Sequence, residues 1–185
     1  MRAIALAALA LVGGIAGGAI GYAVGSGSEE TVTVTTTVED TLTEATASGL
    51  PAAVEETRIA LLEAAQAGDY EALAELAAPG FRYTFGSPVE GGPAAYWREL
   101  ERTGDAQPAS TLAAILELPY VLSRGSYDWP WAYTVADVAD LSAHERARLA
   151  PLGGVDELFV PDIGYLGWRT GIAPDGSWTF FVAGD

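Results

Sequence analysis

Between Ala3 and Val24 the chain reads AIALAALALVGGIAGGAIGYAV, 22 residues without a single charge. An apolar helix needs about 20 residues to cross a bilayer, so the expectation is a membrane-spanning helix over residues 1–25. A signal peptide is the competing reading: Arg2 precedes the run, and Ala23 and Gly25 are small at the spacing for cleavage after Gly25. Signal peptides usually carry only about 7 to 15 apolar residues, and the greater length here favours an uncleaved anchor. Both readings place the rest of the chain identically. Arg2 lies on the short side, and Glu29, Glu30, Glu39 and Asp40 lie beyond the run, so the N-terminus is expected in the cytoplasm. The localisation that follows is a single-pass cell-membrane protein with an extracytoplasmic C-terminal domain, or a secreted domain after cleavage.

Gly13, Gly17, Gly21 and Gly25 recur at every fourth position. On a helix they form a smooth ridge that a second backbone can approach closely, which suggests a homodimer. The alternative is a span rich in glycine for no special purpose. Residues 26–50, which include SGSEETVTVTTTVEDTLTEATASG, are rich in Thr and acids and lack aromatics. Such a segment cannot bury enough apolar surface to fold alone and reads as an extended, disordered extracytoplasmic linker. One domain, residues 51–185, is left to hold the core.

Composition narrows the chemistry. The net charge is −16, with 25 acids against 9 basic residues. Nucleic acid and anionic lipid headgroups are therefore poor partners. There is no cysteine, which removes disulfides, thiolate nucleophiles and thiolate metal sites. Lysine and asparagine are also absent, which removes Schiff-base chemistry, a phosphate-binding lysine loop and N-glycosylation sequons. The missing lysine beside abundant Ala, Gly and Arg reads as coding bias in a GC-rich bacterial genome.

In the domain, Val54, Leu61, Leu62 and Ala65 share helical spacing between Pro51 and Gly68. Asp69 is a suitable N-cap for a second helix, YEALAELAA, ended by Pro79 and Gly80. FRYTF alternates, with Phe81, Tyr83 and Phe85 on one side and Arg82 and Thr84 on the other, as in a half-buried strand. Pro93 opens a helix, PAAYWRELERT, stopped by Gly104, and STLAAILEL predicts further helical turns. PYVLSR and SYDWPWAYTV read as two strands separated by Gly125. In the second, Tyr127, Trp129, Trp131, Tyr133 and Val135 alternate, and Pro130 requires an edge strand or a kink. Ser142 and Glu145 have capping-box spacing ahead of AHERARLA. Asp175 and Gly176 are a hairpin turn signal. The register this turn sets puts Arg169 opposite Val182, on one face with Trp178 and Phe180.

Two helices meeting at AGDYEALAELAAPGFRYTF, a third helix, and strands closing on GWRTGIAPDGSWTFF resemble the nuclear transport factor 2-like superfamily, with its polyketide cyclase-like and ketosteroid isomerase-like members. The resemblance covers most of residues 52–185. It implies an α+β fold: a curved, mostly antiparallel sheet packed on the N-terminal helices, forming a cone around an apolar pocket. Residues 137–162 depart from the simplest pattern.

The isomerase-like members use an acidic base near the first sheet strand, yet Ala77 to Val89 holds no Asp, Glu or His. Asp128 points to the opposite face from Tyr127 and Trp129, which makes it a poor substitute. His144, the only histidine, lies in a capped helix among charged residues and reads as solvated. No zinc helix or EF-hand spacing is present; Asp137, Asp140, Asp156 and Glu157 leave calcium conceivable, although most such acids are simply solvated. No cofactor and no metal is expected.

The aromatic residues remain. Tyr83, Trp97, Trp129, Trp131, Tyr133, Trp168 and Trp178 are a dense set for one domain; such side chains commonly just fill cores, and otherwise line pockets. The pocket reading takes Tyr83, Trp97, Trp129, Trp131, Tyr133 and Arg169 as ligand-binding residues, with Arg169 anchoring a carboxylate, in a cavity of roughly 300 Å³ or more. The expected function is a membrane-anchored extracytoplasmic domain that binds a small apolar or aromatic ligand or a protein partner without catalysis. The alternatives are a structural or assembly subunit of a bacterial cell-envelope complex and a cyclase- or isomerase-type enzyme.

Overall fold

The computed structural model describes residues 49–184. The expected membrane helix, with Gly13, Gly17, Gly21 and Gly25, lies outside the described residues, as does the linker up to Ser48. Among the described residues no helix is long and apolar enough to cross a membrane. Leu50, which composition placed in the linker, is buried in the core.

Helix α1, Ala52–Ala67, buries Val54, Leu61, Ala64 and Ala65 and ends at Gly68, whose left-handed φ of 66° lets its N–H reach back to the last turn. Asp69 then caps α2, Tyr70–Glu75, accepting from Ala72 N at 3.0 Å. This helix is shorter than its sequence suggests, because residues 77 and 78 are taken by β1, Ala77–Arg82. Pro79 is tolerated inside β1 because β1 is an edge strand, where a missing N–H costs no ladder bond. Helices α3, Gly92–Thr103, and α4, Pro108–Leu116, follow, each with a proline in its first turn.

Strands β2, Val121–Ser123, and β3, Ser126–Trp129, form a tight hairpin. Pro130 offers no N–H to a ladder, so β3 stops at Trp129, and Trp131–Thr134 coil into a 3-10 turn after a cis Trp129–Pro130 bond. The alternation of YDWPWAYTV is therefore broken after Trp129, as the kink reading requires. The edge reading is corrected: β3 lies between β2 and β6, Arg169–Ile172.

Residues 137–162 and the strands beside them form a satellite around Ala132, Leu141, Leu149, Phe159 and Tyr165. It contains α5, Ala143–Leu149, and a small hairpin of β4, Phe159–Val160, with β5, Gly164–Tyr165. The α5 capping box is complete: Glu145 N donates to Ser142 Oγ, and Ser142 N donates to Glu145 Oε2.

The main sheet has five strands in the order β1-β7-β6-β3-β2, with β7 spanning Trp178–Val182. All neighbours are antiparallel except β1 and β7. The fold is thus mixed helix and sheet, with a curved sheet. The DG turn gives the expected register, Arg169 opposite Val182. It gives the expected face for Phe180 but not for Trp178. A bulge leaves Thr179 without a partner between the Gly171–Phe180 and Ile172–Trp178 pairs. One extra residue turns the following side chain to the other face. Trp178 and Phe181 consequently both face the helices, while Phe180 and Val182 face away with Arg169.

Candidate functional site

The helix-facing side of the sheet is solid. Trp97 and Trp178 are completely buried, with ring centroids 5.9 Å apart, and Phe81, Tyr70 and Phe181 pack around Trp97 at 5.8–6.2 Å. Trp129 is buried against Tyr120. Tyr83 is buried too; its ring packs on Tyr96, and its hydroxyl accepts from Val89 N at 2.8 Å, which holds the loop after β1. Trp131 belongs to the satellite, where Arg148 lies 5.7 Å over its ring. Of the six residues taken as ligand-binding, the structure brings together only Tyr133 and Arg169.

Those two meet on the opposite face of the sheet. The Arg169 guanidinium lies 5.2 Å from the Tyr133 ring centroid and 5.5 Å from that of Phe85. Around them runs an open groove of about 290 Å³. Arg82 and Arg169 supply its charge, Phe85, Tyr133 and Phe180 its flat walls, and Val182 part of its apolar lining. The sheet dictates this arrangement. Arg82 stands beside Phe180 across one edge of β7, and Arg169 beside Val182 across the other, so both arginines flank a single strand.

The groove gathers positive charge in an acidic chain. From residue 51 onward there are 20 acids and 8 arginines. Arg58, Arg98, Arg102 and Arg146 each hold a carboxylate in an ion pair. Among the described residues Arg82, Arg124, Arg148 and Arg169 have no such partner within 4.0 Å; of these, Arg82 and Arg169 share the groove, which no Asp, Glu or His lines. A larger hollow of about 360 Å³ beside Leu50 also holds two arginines, but Arg58 there is tied to Glu55 by paired bonds of 2.7 and 2.9 Å, and Glu117 faces in.

Asp128 lies on the groove side of the sheet, opposite in direction to Tyr127 and Trp129, as alternation requires. It is only 4% exposed. Burial pushes its carboxyl pKa up, against a lowering by the Ser126 hydroxyl and the charges of Arg124 and Arg169. His144 is exposed. Among the described residues no three His, Cys, Asp or Glu side chains converge on a metal position; Asp137 caps a turn and Asp156 pairs with Arg146.

Sequence reasoning missed Arg82, Phe85 and Phe180. Arg82 was legible as the outward residue of FRYTF. The strand that brings it to Arg169 is distant in sequence, and no local signal announces that pairing. No family model, curated protein or solved structure matches the chain.

Proposed function

We propose that the domain is a non-catalytic binding module, and that its groove takes a small ligand with an anionic group on a flat apolar body. The observation that carries this reading is that Arg82 and Arg169, neither in an ion pair within 4.0 Å, line one groove that holds no acidic residue. A guanidinium offers a planar fork of donors that matches a carboxylate. Here Phe85 and Tyr133 hold that fork between two rings, and Phe180 offers a face for the ligand body. We read the fold as nuclear transport factor 2-like, on the strength of two N-terminal helices leading into a curved, mostly antiparallel sheet. In this reading residues 1–25 hold the domain outside the cell membrane, and the residues from 26 up to the buried Leu50 are its tether.

The test is calorimetric titration of the detergent-solubilised full chain with 1-naphthoate and with neutral 1-naphthylmethanol. Naphthoate should bind at least about tenfold tighter, a gap of about 1.4 kcal/mol, and Arg169→Ala should abolish the gap. Equal binding of the two probes, or binding of neither, overturns the proposal.

A second reading, an assembly subunit of a cell-envelope complex, draws on Leu122. It is 60% exposed on β2, the strand at one edge of the sheet, and the core behind the sheet is filled. Crosslinking in membranes that recovers only monomers, with no second protein, would remove it.

A further inference from the structure

One side chain that lines the groove, Phe180, also lies against a buried carboxyl. Asp128 pairs with Gly171, and Gly171 in turn pairs with Phe180, so the three lie in a row across β3, β6 and β7. A Cβ built on Gly171 would stand 2.6 Å from Asp128 Oδ1 and closer still to the Phe180 ring. The hollow that glycine leaves is therefore shared by a carboxyl oxygen and the edge of an aromatic ring. The ring also borders the groove. Asp128 Oδ1 is buried and has no hydrogen-bond partner among the described residues. Buried carboxyl oxygens are nearly always satisfied, because an unmet one keeps its full desolvation cost. Of the buried polar side-chain atoms without a partner among the described residues, Tyr70 Oη, Trp97 Nε1 and Asp128 Oδ1, this acceptor is the one that lies against a ring lining the groove.

We infer that Asp128 is a second recognition point of this groove: a hydrogen-bond donor at the far end of the ligand reaches its carboxyl when the Phe180 ring turns off Gly171. The inference rests on the binding role proposed above and sharpens the ligand class. Arg169 and Gly171 are two residues apart on β6 and share the groove face, a separation of about 7 Å. An anion held by Arg169 and a donor delivered to Asp128 therefore meet two separate groups on one face of the sheet. The class that fits is a flat aromatic carboxylate that carries a hydroxyl or amino donor away from its acid group, of which 4-hydroxybenzoate is the simplest probe. Phe180 needs only a side-chain rotation to uncover Asp128, a motion fast on the timescale of binding. A ligand without a donor would leave the ring in place and bind to the open groove alone.

The experiment is a calorimetric comparison of 4-hydroxybenzoate, 4-methoxybenzoate and benzoate on the detergent-solubilised full chain. The expected result is that 4-hydroxybenzoate binds about tenfold tighter than 4-methoxybenzoate, as one hydrogen bond to a buried carboxyl provides. Asp128→Ala should bring that ratio close to one. Phe180→Leu leaves Asp128 in place and removes the ring from above it; it should raise the ratio, and it serves as the test if the alanine variant does not fold. If the hydroxy and methoxy acids bind equally to the wild type and to Phe180→Leu, the role of Asp128 is overturned and the binding role of the groove stands. If none of the three acids binds, both fall.

Discussion

Thr57 donates its hydroxyl to the carbonyl of Gly176 at 2.7 Å, tying the first helix to a hairpin turn 119 residues away. The turn is pressed close to that helix. Gly176 has φ of 87°, and a Cβ there would stand 2.8 Å from the carbonyl oxygen of Ala53. Gly176→Ala thus meets both a disfavoured backbone conformation and a fixed oxygen, and should cost about 2–4 kcal/mol. Thr57→Val removes one partly buried bond and should cost about 1 kcal/mol. Urea denaturation of both variants and of the double variant checks this, and a Gly176→Ala loss below that of Thr57→Val would contradict the close packing.

Trp97 is fully buried among four aromatic rings, yet its indole N–H has no acceptor among the described residues. Two costs then oppose each other on substitution. Trp97→Ala empties the centre of the core and should cost about 3–5 kcal/mol. Trp97→Phe loses volume and also removes an unsatisfied donor, so its cost should stay under about 2 kcal/mol. Comparable losses in chemical denaturation would show that the indole N–H is satisfied in solution.

Asp128 gives stability a pH dependence of definite sign. Burial raises its folded pKa above the ordinary 3.8, so the folded chain holds this proton more tightly than the unfolded chain. The stabilising contribution is present below pH 3.8 and is lost as pH rises through the folded value. At neutral pH a buried carboxylate then weighs against folding. Asp128→Asn should therefore melt above the wild type at pH 7, and the two melting temperatures should converge as pH falls toward 3.8. A gap that widens on acidification would reverse the assignment.

What could be read from the sequence follows from the range of the interactions involved. The Ser142–Glu145 capping box, the Asp69 cap, the Gly68 stop and the Asp175–Gly176 turn are made by residues a few positions apart, and each stands where its local pattern puts it. The same turn fixed Arg169 opposite Val182. The faces went wrong at Thr179, because a bulge is decided by how Trp178 and Phe181 both reach the helical core, a choice no alternation displays. β1 was missed in its first four residues for a similar reason: AAPG acquires strand structure only by pairing with β7, where Ala77 stands opposite Trp178. The groove depends on both of these long-range events, so Tyr133 and Arg169 were found while Arg82, Phe85 and Phe180 were not.

Phe85 and Tyr133 provide the sharpest separation of binding from stability. Phe85 is 43% exposed, an arrangement a core would not favour, and its ring lies 5.5 Å from the Arg169 guanidinium. An exposed cation–π contact contributes about 0.5–1 kcal/mol, little of which the folded state depends on. Its larger effect is to hold the guanidinium in one orientation before a ligand arrives, which reduces the ordering cost of binding. Phe85→Ala should therefore weaken naphthoate binding by about three- to tenfold while changing unfolding stability by less than about 0.5 kcal/mol. Tyr133 is half-buried and joined to the satellite core, so Tyr133→Ala should lower both. Parallel calorimetry and denaturation on the two variants decide the point: a Phe85→Ala loss of stability as large as that of Tyr133→Ala would make the ring a packing element instead of a wall of the site.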